Sequence, residues 1–153
     1  MAFLYNPKIQ ARANRGVGEI IPAEKGEAAG QTYKKGELVY LVAGELTICG
    51  ADPALIAGIA LTDASGTQAT AASFEPIYPN DEVEMYANTT ITTAMHGVGY
   101  GVAVGSNIWK VDISDTTNKR VVVKRLLKDG LGALDTSKFV VTFDPDNLQF
   151  NGA

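Results

Sequence analysis

The sequence predicts an all-β protein: a single β-barrel or β-sandwich domain of about nine short strands, preceded by an extended N-terminal arm. Three observations predict this class. Short runs rich in β-branched and aromatic residues recur along the chain. Turn residues separate these runs about every 8–12 residues, which is typical of sandwiches and barrels. The 16 glycines among 153 residues suit tight turns better than long helices. We expect residues 1–17 to form the arm and residues 18–153 the domain.

The arm is basic. Its first 15 residues contain Lys8, Arg12 and Arg15 and no acidic residue. The segment lacks a clean periodicity, so an extended conformation is expected, with a short helix from Lys8 to Asn14 as the alternative. Arms of this kind often become ordered only on a partner. We therefore predict that the three basic side chains contact another protein surface.

The first part of the domain contains the clearest structural unit. A strand is expected at residues 18–22, followed by a turn-rich stretch at 24–31. Residues 38–42 and 45–49 are β-rich runs joined by Ala43-Gly44. Two such runs around a pair that contains glycine predict a β-hairpin.

The middle of the chain alternates short strands and loops. Residues 55–61 are apolar and predict a buried strand, although a helix is the alternative for so short a run. Residues 64–73 are small and polar, which predicts a loop. Residues 82–87 alternate polar and apolar side chains, as a half-buried strand does. The β-branched stretch at 89–93 favours further β structure.

The last third predicts four strands. Residues 97–105 alternate strictly, with glycine at every second position at the start. Residues 108–113 alternate as well. Residues 119–127 and 138–143 are rich in valine and are bounded by turn residues, so each is expected to be a strand.

Three glycines mark one face of the run at 97–105. Gly97, Gly99 and Gly101 follow one another at a spacing of two, which lets another backbone or a large side chain approach closely. We predict that these glycines, with Tyr100, form a subunit interface. The alternative is internal packing of this face against Tyr100 or Trp109.

Charge is segregated along the chain. Residues 36–109 contain eight acidic residues and no lysine or arginine, whereas residues 110–128 contain six basic residues and two acidic ones. Surfaces of opposite sign favour oriented association with a partner. The alternative for each segment is ordinary solvated charge.

Catalytic chemistry finds little support. The only histidine, His96, has no nucleophile in a recognisable motif beside it, so it is expected to be structural or exposed. The only cysteine, Cys49, lies in an apolar run and is expected to be a small buried side chain. We therefore expect no enzymatic activity and no cofactor.

Acidic residues are the remaining candidates for a site. Residues 80–82 and 144–147 contain oxygen ligands for calcium but do not complete a calcium-binding loop, which favours ordinary turns. Glu82 and Glu84 share a strand face and resemble a glycosidase pair only in spacing; a solvated face is the favoured interpretation. No metal is therefore expected. Neither nucleic acid nor a membrane is an expected partner, because the chain is acidic overall and has no long apolar segment.

Part of the chain resembles small head proteins of tailed bacteriophages. The likeness is one of pattern. An extended segment leads into a Lys-Gly-acid sequence, and a strand, a turn, a second strand and a strand that contains Gly-Ile-Ala follow it. It spans about residues 30–145. The segments that carry it are Tyr33–Val39, Gly44–Thr47, Ala57–Ala64, Gly97–Tyr100, Ile108–Asp112 and Asp115–Asn118.

The resemblance implies a capsid decoration, or cement, protein. Such a protein would be made in the host cytoplasm, form a homotrimer, and bind the major capsid protein on the outside of the virion, where it would clamp neighbouring capsomers. Another virion module, such as a tail-tube, head-completion or receptor-binding protein, is the first alternative. An enzyme or a carbohydrate-binding module is the second, although a single tryptophan offers a small platform for sugars.

Overall fold

The computed structural model describes residues 12–14 and 23–151, and within them the chain is all-β, which confirms the predicted class. Eleven strands are accompanied by two short 3-10 helices in this part of the chain. The strands are β1 Arg12–Asn14, β2 Ala23–Gly26, β3 Leu38–Val42, β4 Glu45–Ile48, β5 Gly58–Ala60, β6 Ala71–Pro76, β7 Glu82–Tyr86, β8 Gly99–Gly105, β9 Ile108–Asp112, β10 Val121–Lys128 and β11 Leu134–Phe143. The helices are Thr93–Met95 and Pro145–Asn147.

The strands form two antiparallel sheets. One has the order β1-β7-β11-β10-β8-β9, and the other has the order β2-β6-β5-β3-β4. Both sheets curl. A parallel bridge between Ala87 and Val111 brings the end of β7 to β9, and a second between Glu27 and Leu46 brings the end of β2 to β4. The result is a sandwich of two curled sheets.

The larger core lies between the sheets. Leu38 and Ile59 contribute from the five-stranded sheet, and Met85, Trp109 and Phe139 contribute from the six-stranded one. All five side chains are essentially inaccessible to solvent. Burying each of them stabilises the fold by about 1.5–3 kcal/mol, so this core holds the sheets together.

A smaller core lies on the other face of the five-stranded sheet. It includes Tyr33, Val39, Leu46 and Phe74. Phe150, near the end of the described chain, stacks on Phe74 with ring centroids 6.1 Å apart. Because successive strand residues point to opposite faces, this sheet is apolar on both sides.

The predicted hairpin is confirmed. β3 and β4 pair from Val39 opposite Ile48 to Val42 opposite Glu45. The connecting Ala43 and Gly44 have φ angles of 50° and 79°. Two left-handed residues in a two-residue loop match the twist of an antiparallel pair.

Three sequence predictions were wrong. The stretch 24–31, expected to be turns, contains most of β2, and the loop expected at 64–73 ends where β6 begins at Ala71. β2 and β6 pair with each other from Ala23 opposite Phe74 to Gly26 opposite Ala71. Their small and polar side chains are poor strand formers, so the pairing comes from tertiary contacts. The stretch 89–93 contains no strand, because only one of its side chains is apolar and buries itself in the core.

Two other predicted strands are shorter in the structure than in the prediction. The buried run 55–61 forms a strand only at β5, and the run 97–105 begins pairing at Gly99. A Cβ at Gly58 would overlap the Glu75 carbonyl oxygen, so β5 and β6 approach too closely for a larger residue there. The strand expected at 18–22 lies outside the described residues.

Candidate interaction surfaces

The basic arm is described at β1 alone. β1 pairs antiparallel with β7, with Arg12 opposite Glu84 and Asn14 opposite Glu82. The backbone at residues 12–14 is therefore a strand, not the alternative short helix. Lys8 and Arg15 lie outside the described residues. The role of these basic residues in binding a partner stays a prediction.

The three glycines do not share one strand face. Gly99 and Gly101 lie in β8 and are buried, whereas Gly97 precedes the strand in a turn, with a φ of 80° and an open surface. The turn follows the first 3-10 helix, and the Gly97 N–H donates to the Val123 carbonyl. The strict alternation in the sequence therefore begins two residues before the strand itself.

Side chains of the same chain cover the two strand glycines. The aliphatic stem of Lys119 lies over Gly99, with its Cδ 3.0 Å from where a Cβ would stand. The carboxyl groups of Asp52 and Asp115 lie over Gly101. Tyr100, between the glycines, is only 6 % exposed and belongs to the larger core. The close approach expected here is thus made within the chain, and a subunit interface at these residues stays a prediction.

Asp52 connects the two sheets. It follows β4 of the five-stranded sheet and pairs with Val102 of β8 in the other. Its N–H donates to the Val102 carbonyl at 2.9 Å, and its Oδ1 accepts the Val102 N–H at 2.8 Å. The residue has a φ of 46°, in the left-handed region that aspartate tolerates better than most side chains. The Arg120 Nε also donates to the Asp52 carbonyl, at 3.3 Å.

The two carboxyl groups over Gly101 differ in acidity. Burial, followed by the hydrogen bond and charge of Asp115, raises the pKa of Asp52 despite the Val102 N–H and the Arg120 charge. The backbone and side chain of Asn118, with the backbone of Thr117, lower the pKa of Asp115 to about 2. Asp52 is therefore the member of the pair that takes up a proton first as the pH falls, and in that form it can donate to Asp115.

Two buried glutamates fix loops. Glu37 is 2 % exposed and accepts hydrogen bonds from the Lys34 N–H at 2.8 Å, the Asn107 side chain at 3.1 Å and the Trp109 indole at 3.3 Å. It thereby joins the segment before β3 to the β8–β9 hairpin. No sequence pattern identified this role, since Glu37 and Trp109 are 72 residues apart.

Glu27 holds the loop before β6. Its oxygens accept from the Ser65 hydroxyl at 2.9 Å, the Ser65 N–H at 3.0 Å and the Gly66 N–H at 2.6 Å. Burial alone would raise its pKa, but these hydrogen bonds outweigh burial and lower it. Burial and the charge of Glu27 raise the pKa of the neighbouring Tyr33 to about 12. Glu27 is therefore favoured as the carboxylate, the form that accepts these hydrogen bonds.

The β10–β11 hairpin ends in an exposed leucine. Leu131 is 94 % exposed, more than any other large apolar side chain described. The tip is ordered by Asp129, whose Oδ1 accepts from the N–H groups of Leu131 at 2.8 Å and Ala133 at 3.0 Å. The Asp129 N–H donates in turn to the Ala133 carbonyl at 2.7 Å. Sequence reasoning placed a turn here but gave no reason to single out Leu131.

The same hairpin carries four basic side chains and two acidic ones, Asp129 and Asp135. Arg125 binds Glu82 of β7 through two hydrogen bonds, at 2.5 and 2.9 Å, and Lys138 lies 3.6 Å from Glu84. Glu82 and Glu84 are therefore engaged in ion pairs within the chain. Lys124 and Lys128 are exposed. The positive segment predicted at residues 110–128 lies only partly on this hairpin, because Lys110 is in β9 and Lys119 and Arg120 precede β10.

A shallow apolar groove runs beside the β8–β9 hairpin. Its volume is about 320 Å³. The lining residues are Asn88, Ala103, Val104, Gly105, Ile108 and Lys110.

The structure also places the other residues that the sequence offered as candidates for a functional site. His96 is exposed, with Nε2 3.1 Å from the Lys124 carbonyl, and Cys49 is buried; both predictions are confirmed. Trp109 is buried completely, so it cannot stack on a sugar. Asp144 accepts from the Asp146 N–H and caps the second 3-10 helix, as a turn residue does. Over residues 12–14 and 23–151 no cluster of three His, Cys, Asp or Glu side chains could hold a metal ion.

The described part of the chain contains no helix that is both long and apolar enough to cross a membrane. We found no match to this chain among models of protein families, curated proteins or solved structures. The resemblance to phage head proteins therefore stays a prediction from the sequence.

Proposed function

We propose that this chain is a non-enzymatic structural virion protein that binds the outside of an assembled bacteriophage capsid. It acts as a homotrimer and stabilises the shell by clamping neighbouring capsomers. The phage setting comes from the sequence resemblance over residues 30–145. The arrangement of charge on the fold supports the binding role.

The observation that carries the binding role is a two-sheet frame in which basic residues cluster in one stretch of the chain. Residues 119–138 contain six basic and two acidic residues in a chain of net charge −4. Charge separated in this way orients a protein as it meets a partner of opposite sign.

The polar groups inside the fold support an adhesive role more than a reactive one. Glu27, Glu37 and Asp52 each accept backbone N–H groups and hold a loop or join the two sheets. Side chains that hold loops through such hydrogen bonds favour a single conformation of the surface, and this reduces the entropic cost of binding.

Clamping needs no strong single contact. A protein that binds only the assembled shell stabilises it by mass action. In a trimer, one modest contact is repeated on neighbouring capsomers, and the second and third contacts form at a high effective concentration.

The test is co-sedimentation of the purified full-length chain with undecorated capsids of the same phage. We expect the chain to pellet with capsids up to a fixed ratio and to raise the temperature at which they break open. An unrelated β-sheet protein of similar net charge is the control and should remain in the supernatant. Failure of the chain to sediment would exclude the decoration role, and rings or tubes formed by the chain alone would favour the tail-tube or head-completion alternative.

A further inference from the structure

Two aspartyl–prolyl bonds occur in the chain, at Asp52-Pro53 and at Asp144-Pro145. An aspartate can cut the peptide bond that follows it, because its carboxyl group reaches its own carbonyl carbon through a five-membered ring. A following proline assists the cut, since its nitrogen belongs to a tertiary amide and leaves more readily than an ordinary peptide nitrogen once it takes a proton. The surroundings of each bond therefore decide whether the fold promotes this reaction.

At the first bond a guanidinium group lies on the carbonyl oxygen that precedes the proline. The Arg120 Nε donates to the Asp52 carbonyl at 3.3 Å. When a nucleophile adds to a carbonyl carbon, negative charge develops on the oxygen, and a donor that carries positive charge stabilises it. The carbonyl in contact with Arg120 is the one that the Asp52 carboxyl group attacks in such a reaction.

The carboxyl group of Asp52 is held in place beside a second one. Its Oδ1 accepts the Val102 N–H at 2.8 Å, and it lies with the carboxyl group of Asp115 over Gly101. Asp52 also has a φ of 46°, a left-handed conformation that stores strain in a residue other than glycine. A cut directly after Asp52 allows the residue to leave this conformation.

The second bond has different neighbours. The Asp144 carbonyl accepts the Asn147 N–H at 3.0 Å, and the Asp144 carboxyl group accepts the Asp146 N–H at 3.0 Å. Both donors are uncharged, and the φ of Asp144 is an ordinary −62°. The two bonds join the same residue types but differ in the charge at the carbonyl oxygen and in backbone strain. Asp144-Pro145 is therefore an internal control.

We propose that the folded chain cuts itself at the Asp52-Pro53 bond, with Asp52 as the nucleophile and Arg120 as the group that stabilises the oxyanion. This activity goes beyond the proposed function. It is a single event in each chain and not the turnover of a substrate, so it leaves the structural role unchanged.

The reaction balances with water as the only other reactant. An oxygen of the Asp52 carboxyl group adds to the carbonyl carbon of the same residue, and Arg120 stabilises the negative charge on the carbonyl oxygen. The carbonyl forms again as the bond to the Pro53 nitrogen breaks. The electron pair of that bond stays on the nitrogen, which takes the proton that the carboxyl group gave up. Residue 52 is left as a cyclic anhydride, and water opens it to two carboxyl groups. Asp52 is only half-buried, so water can reach it.

The two parts of the cut chain should stay together under native conditions. The part before the cut contains β1–β4 and the part after it contains β5–β11. Strands from the two parts pair with each other, β1 with β7, β2 with β6 and β3 with β5. The cut is therefore measured on denatured protein, by gel electrophoresis or mass spectrometry.

The test is incubation of the purified full-length chain for several days at about pH 5, just above the ordinary pKa of aspartate. We expect fragments 1–52 and 53–153, and a cut at Asp52-Pro53 at least about tenfold faster than at Asp144-Pro145. In concentrated urea at the same pH the two rates should become equal, because unfolding removes Arg120 from the carbonyl. No cut at Asp52-Pro53, equal rates at the two bonds in the folded chain, or a faster cut at Asp52-Pro53 in urea would each overturn the proposal.

Substitutions at the two residues separate their roles. Asp52→Glu keeps the carboxyl group but needs a six-membered ring, so the rate should fall to that of Asp144-Pro145. Arg120→Gln removes the positive charge and should slow the cut about tenfold or more. Lys119→Gln removes a charge from the adjacent residue and should leave the rate as in the wild type.

Urea unfolding at the same pH establishes that each variant is folded. If Arg120→Gln does not fold, Arg120→Lys takes its place; it keeps the charge without the planar donor group, and the cut should be slower than in the wild type. A folded Arg120 variant that is cut as fast as the wild type, or a folded Asp52→Glu that is, would show that the proposed mechanism is wrong.

Discussion

The Trp109 indole nitrogen donates a hydrogen bond to Oε1 of Glu37 at 3.3 Å, and this contact joins the two sheets. Glu37 precedes β3 of the five-stranded sheet, and Trp109 lies in β9 of the six-stranded sheet. Both side chains are buried. The contact is therefore made where water cannot replace it.

Removal of the Glu37 side chain should destabilise the fold strongly. Glu37→Ala leaves the Trp109 N–H and the Lys34 N–H without their acceptor, at a cost of about 2–4 kcal/mol. Glu37→Gln keeps the shape and one acceptor oxygen, so a smaller loss of about 1–2 kcal/mol is expected. Urea unfolding followed by tryptophan fluorescence measures both.

Glu45→Ala on β4 is the control for Glu37. Glu45 is only half-buried and accepts from the Gln68 side chain at 3.0 Å near the surface. Its replacement should cost less than about 0.5 kcal/mol. Equal losses at Glu37 and Glu45 would show that the buried hydrogen bonds contribute little.

Gly101 should not tolerate alanine. A Cβ there would stand 2.6 Å from Oδ2 of Asp115 and overlap Oδ1 of Asp52. The displaced carboxyl groups would give up their hydrogen bonds to β8 and its neighbouring loop, so we expect a loss of about 1–3 kcal/mol. Thermal unfolding by circular dichroism is the measurement.

Gly105→Ala provides the matched control on the same strand. No heavy atom lies within 4 Å of a Cβ at Gly105, and its φ is not in the left-handed region. Alanine there should leave stability unchanged or raise it slightly, because it restricts the unfolded chain. A Gly101→Ala variant as stable as Gly105→Ala would contradict the packing described over β8.

The carboxyl pair should make stability depend on pH in a particular direction. The raised pKa of Asp52 means that the folded state binds its proton more tightly than the unfolded state does. This group therefore lowers the free energy of unfolding as the pH rises above about 4. Carboxyl groups with lowered pKa values, among them Glu27, Asp112 and Asp135, act in the opposite sense and lose their stabilisation as the pH falls.

Asp52→Asn isolates the first contribution. The amide donates permanently to Asp115 and its oxygen still accepts from Val102, so the variant should gain stability relative to the wild type as the pH rises from 4 to 7. Urea unfolding at several pH values gives this difference, with the exposed Asp146→Asn as the control for a change of net charge. A difference that is flat or declines with pH would contradict the assignment of the proton to Asp52.

Cys49 should be unreactive in the folded protein. Its thiol is 3 % exposed and lies 3.6 Å from the Leu55 carbonyl, and burial raises its pKa. The thiolate is the reactive form, so a thiol-specific chromogenic reagent should give no signal without denaturant and one thiol per chain in concentrated urea. Rapid reaction of the native protein would show that the region around β4 opens readily.

The sequence correctly predicted those strands and turns whose pattern is contained within a few neighbouring residues. The β3–β4 hairpin follows from Ala43-Gly44 between two β-rich runs, and the strands around Val83 and Val123 follow from alternation or valine content. β6 was missed because Ala71, Ala72 and Ser73 carry no strand signal of their own. It forms a strand since β2 and β5 pair on its two sides.

The contacts between distant residues could not be predicted. Asp52 and Asp115 meet over Gly101 only because the chain returns from one sheet to the other, and nothing in either neighbourhood indicates the partner. The glycine spacing predicted that another group lies close to Gly101, and the structure contains such a close approach. What approaches is a pair of carboxyl groups of the same chain, which depends on the complete topology.

The parallel bridge between Glu27 and Leu46 has a consequence for crowded conditions. Together with the hydrogen bond from the Ala28 N–H to the Leu46 carbonyl, it occupies backbone groups where the five-stranded sheet would otherwise be open. Unpaired strand edges are templates on which other molecules add strands and aggregate. A five-stranded sheet whose two ends meet in this way offers fewer open backbone groups on which another copy could add a strand.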